Sequence, residues 1–240
     1  MARIKKMWQQ LKLVCPGLVF LFLLSACSSI DPQHDDNIAD PDDRLELFLR
    51  QYEEARQGEL REKIYEEENH VLVDTGLLRS RIEGMCFEFP NHVPSYMANA
   101  VLSYYDEHDG PKAQSYLDAL FRLQPVHPRA AMLRARIASE EGNLPMARTL
   151  LDEQIMLTPN HAGLREQRAM VLTLMGEHES ALSELDLAER FGAPAWRVAY
   201  HRGLVREGLG QQDAAAEQYE LCLEANPAWV PAANRLSALR

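Results

Sequence analysis

The chain has 240 residues, 46% of them hydrophobic and 25% charged, and its 36 acidic against 25 basic residues give a formal charge of −11. That length suffices for a sizeable core. The acidic balance argues against nucleic acid, whose binding rests on neutralising phosphates with Lys and Arg. The amino terminus departs from this balance. Residues 1–12 carry Arg3, Lys5, Lys6 and Lys12 with no acidic residue, and residues 13–24 (LVCPGLVFLFLL) are almost wholly apolar. This is the layout of a secretory signal, and it is too short for a membrane-spanning helix of about 20 apolar residues.

The run ends in Leu24-Ser25-Ala26-Cys27. This resembles the bacterial lipobox, which implies that residues 1–26 are a signal peptide, cut before an acylated Cys27. Two or three acyl chains, at roughly 0.8 kcal/mol per buried methylene, would make attachment effectively permanent. In that family Asp after the cysteine retains a lipoprotein in the inner membrane. Here Ser28 follows, so the resemblance implies the outer membrane, on its periplasmic face. The mature chain would keep 21 of the 25 basic residues and all 36 acidic ones, a net charge of −15. With Cys15 removed and Cys27 acylated, Cys86 and Cys222 are expected as buried thiols. The stretch after Cys27, to residue 43, has six aspartates and two prolines. It lacks the apolar surface to offset its ordering entropy and reads as a tether, residues 27–43.

Residues 44–93 are helical in pattern behind Asp42 and Asp43 and read as a cap or a degenerate repeat. From there a period of 34 emerges in three columns: Gly142, Gly176 and Gly210; Ala113, Ala147, Ala181 and Ala215; Pro125, Pro159 and Pro227, with Ala193 and Pro194 straddling the missing member. Leu117, Leu151, Leu185 and Tyr219 stand one turn after the alanines. The chain thereby resembles the tetratricopeptide repeat, two antiparallel helices per 34 residues. The expected fold is all-α, a tetratricopeptide-type α-solenoid of antiparallel helix pairs, with four units over 94–229 and a short capping helix over 230–240. Each column has a reason. Glycine ends the first helix in a left-handed cap, alanine lets the second helix cross closely, and proline stops it. Only Tyr104 keeps the family's first-helix tyrosine and only Gly203 its glycine, while Ala100, Arg134, Arg168 and Arg202 stand at its leucine position. The three arginines are expected either to pack by their stems with the charge on an acidic neighbour, or to form a basic ladder.

No HExxH, CxxC, GxSxG, Walker or Rossmann pattern occurs, so no catalytic residue, metal ligand or cofactor is expected beyond the lipid on Cys27. Stacked repeats present a groove lined by their first helices. The family's groove positions fall on Tyr105, Arg129, Met132, Arg136, Glu166, Met170, Arg197, Tyr200 and Glu207, residue types enriched at protein interfaces. Their arginines suggest a basic, greasy stripe for segments with carboxylates and apolar anchors. The resemblance implies a lipid-anchored scaffold binding other envelope proteins, or peptide-like segments of them, in assembly of a pilus or secretion machine. An adaptor for peptidoglycan hydrolases or proteases is the alternative, and a degenerate enzyme a third reading. Oligomeric state stays open.

Overall fold

The computed structural model describes residues 39–65 and 75–240, which form eleven helices and no strand. The signal, Cys27 and the tether up to residue 38 lie outside the described residues. The described residues divide into two compact units, one up to Ser95 and one from Tyr96 to Arg240.

In the first unit, α1 (Pro41–Tyr65) packs on α2 (Thr75–Glu88). Asp40 caps α1, its carboxylate accepting from the Asp42 amide at 2.9 Å. Asp42 and Asp43, read from sequence as the end of the tether, occupy the helix's first turn, where negative charge meets the positive end of the helix dipole. Leu45 and Phe48 of the first helix and Leu78, Ile82, Met85 and Cys86 of the second are buried. His92 ties the segment after α2 back to α1 through Asp42, 2.9 Å away.

Helix α3 (Val93–Tyr105) leads into the second unit, which continues with α4 (Gly110–Leu123), α5 (Pro128–Glu140) and α6 (Leu144–Leu157). It ends with α7 (Ala162–Leu174), α8 (His178–Arg190), α9 (Ala195–Gly208), α10 (Gln212–Ala225) and α11 (Val230–Leu239). The second helices α4, α6, α8 and α10 begin 34 residues apart, at Gly110, Leu144, His178 and Gln212.

The turns explain the period. Gly142, Gly176 and Gly210 have φ of 79°, 79° and 73°, a region glycine enters without steric cost. Each is followed by an amide that reaches back to close the preceding helix, as Asn143 N does to Ala138 O at 2.8 Å. The first turn uses His108 at this place, with φ 55°, so the column's fourth member is a histidine in the left-handed region. Gly192, φ 91°, ends α8 the same way, its successor Ala193 donating to Ala188 O at 2.9 Å. A glycine cap therefore does there what proline does after the other second helices.

Beyond the turns, Ala113, Ala147, Ala181 and Ala215 are all fully buried, as are Leu117, Leu151, Leu185 and Tyr219 one turn later. Facing them on the first helices are Ala135, Ala169 and Gly203, also buried. The last pair is matched in size: a Cβ on Gly203 would come within 2.3 Å of the Tyr219 ring, so tyrosine fits there because its partner has no side chain.

Successive first helices touch, α5 with α7 and α7 with α9, while no comparable contact joins successive second helices. The first helices thus line the inner side of this unit and the second helices its outer side. Cys86 and Cys222 are free, buried thiols, and burial raises the Cys222 pKa.

Candidate protein-binding groove

The nine groove positions fall on α3, α5, α7 and α9, the inner helices of the second unit. Within one helix they recur every three to four residues, Arg129, Met132 and Arg136 on α5 and Arg197 and Tyr200 on α9, which puts each set on one face. Between helices they bond to each other. Arg136 donates from Nη1 to the Tyr105 hydroxyl at 3.0 Å, with its guanidinium 5.8 Å from the ring centroid. Arg197 grips Glu166 with two parallel bonds, Nε to Oε1 at 2.7 Å and Nη2 to Oε2 at 2.6 Å. The Met132 sulfur lies 3.1 Å from where a Cβ on Gly163 would stand, so this glycine leaves room for the thioether at the start of α7. All three pairs are 31 residues apart, one helical turn short of the repeat. Adjacent first helices meet in that register.

Glu166 is only 5% exposed and both its oxygens are occupied by Arg197. It holds α7 to α9 and offers little to a ligand. Arg136, half-exposed, also lies 3.5 Å from Glu140, which in turn accepts from the Tyr104 hydroxyl. Burial and then the Glu140 carboxylate push the Tyr104 pKa up. Glu207 pairs with Arg235 of α11 at 3.0 Å. Tyr200 stands between Tyr219 and Trp229, ring centroids 5.9 and 5.8 Å away, and burial raises its pKa. Arg129, Met132 and Met170 are partly buried, the methionines against the cores beneath them. The basic stripe expected from the sequence is therefore a row of matched charges alternating with soft apolar side chains.

The arginine column has the first of its two expected fates. Arg134, Arg168 and Arg202 reach back to Asp118, Asp152 and Asp186 of the preceding second helices, each at 2.6 Å. These aspartates are themselves 34 apart, a fourth periodic column in the sequence. Arg168 also meets Glu184 at 2.9 Å, and Glu184, 7% exposed, takes Arg165 at 3.1 Å as well. Burial opposes the Arg168 charge, and the two carboxylates outweigh it, raising its pKa. Histidines also went unnoticed. His127 and His161, again 34 apart, cap α5 and α7 by accepting the Ala130 and Leu164 amides on Nδ1 at 3.1 and 3.2 Å. Burial lowers the pKa of His127, which keeps that lone pair available.

A tetratricopeptide-repeat family model matches residues 197–228, the α9–α10 pair that holds Gly203 against Tyr219. The fold is a tetratricopeptide-repeat solenoid. Tetratricopeptide repeat protein 36 of Bos taurus is 32% identical over 103 residues, 41% of this chain and 55% of its own length, so the match spans about half of that relative. A thermophilic tetratricopeptide-repeat protein of Thermus thermophilus superposes with a TM-score of 0.63 at 18% identity, covering 83% of this chain and 98% of the other. A tetratricopeptide-repeat protein of Parabacteroides merdae gives 0.59 at 15%, over 83% and 77%. At such identities these structures speak for the fold alone.

Proposed function

We propose that this solenoid is a protein-binding scaffold of the bacterial envelope, fastened by lipid on Cys27 to the periplasmic face of the outer membrane, and that it supports assembly of a pilus or secretion machine. One observation carries the binding role. Met132, Met170 and Tyr200, on three successive first helices, stay partly exposed along a line whose intervening charges are already matched. Such a line suits a peptide-like segment with apolar anchors. Methionine adapts to varied shapes, and the paired arginines and carboxylates can exchange hydrogen bonds with a backbone without leaving a charge stranded. A free basic stripe would have demanded an acidic ligand, and the pairing of Arg197 with Glu166 relaxes that demand. The envelope location is supported by the lipobox-like LSAC, by Ser28 after the cysteine and by the basic, apolar leader. Cross-linked pull-down from cells making the full chain tests the reading. Wild-type protein should recover a pilin or a ring-forming secretion protein, and Met170→Glu with Tyr200→Glu should lose it at unchanged helix content. Recovery of peptidoglycan hydrolases or proteases instead would replace the assembly role with an adaptor role. Undiminished recovery by the double variant would remove the groove.

A further inference from the structure

The outer side of the solenoid holds what the groove lacks, namely unspent positive charge beside exposed apolar side chains. Of the thirteen arginines in residues 96–240, ten have an ion-pair or hydrogen-bond partner, Arg129 is engaged as well, and Arg122 and Arg190 have no partner among the described residues. Those two lie 68 residues apart, at the same place in their repeats, in the last turns of α4 and α8. Midway between them, at the same place on α6, is Met156, the most exposed methionine of the unit at 81%, followed by Leu157 at 58%. Leu123 beside Arg122 is 39% exposed and Phe191 beside Arg190 is partly exposed. Three equivalent helix ends therefore present Arg-Leu, Met-Leu and Arg-Phe in a row.

A cation at a helix C-terminus is favourable on its own account, which would explain either arginine singly. It does not explain two large apolar side chains left in water on the turn between them. The carboxylates of the neighbourhood do not absorb the charge. Glu189 is engaged with Arg202 at 2.8 Å, and Glu153, exposed on α6, forms no ion pair with either arginine. We propose that this row is a second docking surface, for an acidic amphipathic segment of a partner protein. Its carboxylates meet Arg122 and Arg190, and an apolar side chain between them covers Met156 and Leu157. Arg recognises carboxylates through a bidentate fork, and Arg and Met are enriched where proteins meet. An anionic bilayer offers the same chemistry, but a mature chain of net charge −15 is repelled by such a surface. The proposal rests on the scaffold reading while placing a contact away from the groove.

A photo-reactive benzoylphenylalanine in place of Met156, and separately of Met170, in the full chain in its native cells tests it. Position 156 should give a discrete protein adduct whose cross-linked peptide, sequenced by mass spectrometry, carries carboxylates flanking an apolar residue. Arg122→Glu with Arg190→Glu should cut that adduct by roughly tenfold or more, two lost charge contacts, and leave the 170 adduct and the helix content unchanged, with only the small fall in thermal midpoint that a carboxylate at two helix C-termini brings. Adducts at 170 and none at 156, or an adduct at 156 indifferent to charge reversal, would overturn the rim and leave the scaffold reading standing. Adducts at neither position would overturn both. Phospholipid or a second copy of this chain at 156 would overturn the assigned occupant.

Discussion

Replacing Gly203 by Ala tests the packing of the repeats, because two opposing effects differ in size. In an exposed helix the change would stabilise by about 1 kcal/mol, since alanine has the better helix propensity. Here the new Cβ would stand 2.3, 2.7 and 2.8 Å from three atoms of the Tyr219 ring, where about 3.5–4.0 Å is the normal separation of carbons. The ring must retreat by more than 1 Å, and it is fully buried among Ala199, Ala215, Cys222 and Ala232. Overpacking of this kind costs about 1–3 kcal/mol or more. The expected net loss is about 2 kcal/mol, a fall in thermal midpoint of roughly 4–8 °C for a unit of this size. Sister repeats supply the control. Where the inner helix has Ala135 or Ala169, the facing residue is Leu151 or Leu185. Tyr219→Leu alone opens a cavity, but in the Gly203→Ala background it recreates the sister pair. The double variant should be more stable than the sum of the single losses by about 1 kcal/mol or more. Circular-dichroism melts and urea titrations of the four proteins form the cycle. Additive effects, or stabilisation by Gly203→Ala, would refute the size matching.

His201, held by burial and by Arg197 at a pKa of about 4 against 6.5 in the free side chain, stays neutral where the unfolded chain is protonated. Stability should be flat above pH 7 and fall between pH 6.5 and 4, by about 2 kcal/mol at pH 5, with the lowered His127 acting in the same direction. Urea titrations at pH 7.5 and 5.0 check this, and stability rising toward pH 5 would contradict it. Glu184→Ala takes the nearly buried carboxylate from Arg165, whose ion pair it is, and leaves Arg168 with Asp152 alone, and should cost about 2 kcal/mol, whereas Asp186→Ala at the more exposed pair leaves Arg202 with Glu189 and should cost less than about 1 kcal/mol by the same titration. Cys27→Ser should abolish incorporation of labelled palmitate and leave the precursor uncut, and label retained by the variant would remove the lipobox. Ser28→Asp should move the mature protein to the inner-membrane fraction of a density gradient, and unchanged fractionation would remove the outer-membrane assignment.

The solenoid was legible because a 34-residue repeat imposes the same steric demand at each turn. Glycine, alanine and the residue one turn on recur in sequence since the same left-handed cap and the same helix crossing recur in space. His108 and Gly192 escaped because each performs a column's task with a different residue: a left-handed histidine for glycine, a glycine cap for proline. The pairing of Arg134, Arg168 and Arg202 was half legible. Their period stood out, but Asp118, Asp152 and Asp186 share it, and only folding brings a residue 16 positions earlier across from each arginine. The groove was least legible. Its positions came from the family pattern, whereas the bonds Tyr105–Arg136 and Glu166–Arg197 follow from how neighbouring first helices slide past each other, a register of 31 with no sequence mark. For that reason the arginines looked free. Arg122 and Arg190, which have no partner among the described residues, sit instead on the outer helices of the second unit.

The central claim, that the first helices receive a partner, is tested most directly by hydrogen–deuterium exchange of the full lipid-anchored chain with and without the protein it captures. Binding in the groove predicts slower exchange in peptides from α5, α7 and α9, centred on Met132, Met170 and Tyr200. Unchanged exchange in those three helices when the partner is bound would contradict the account.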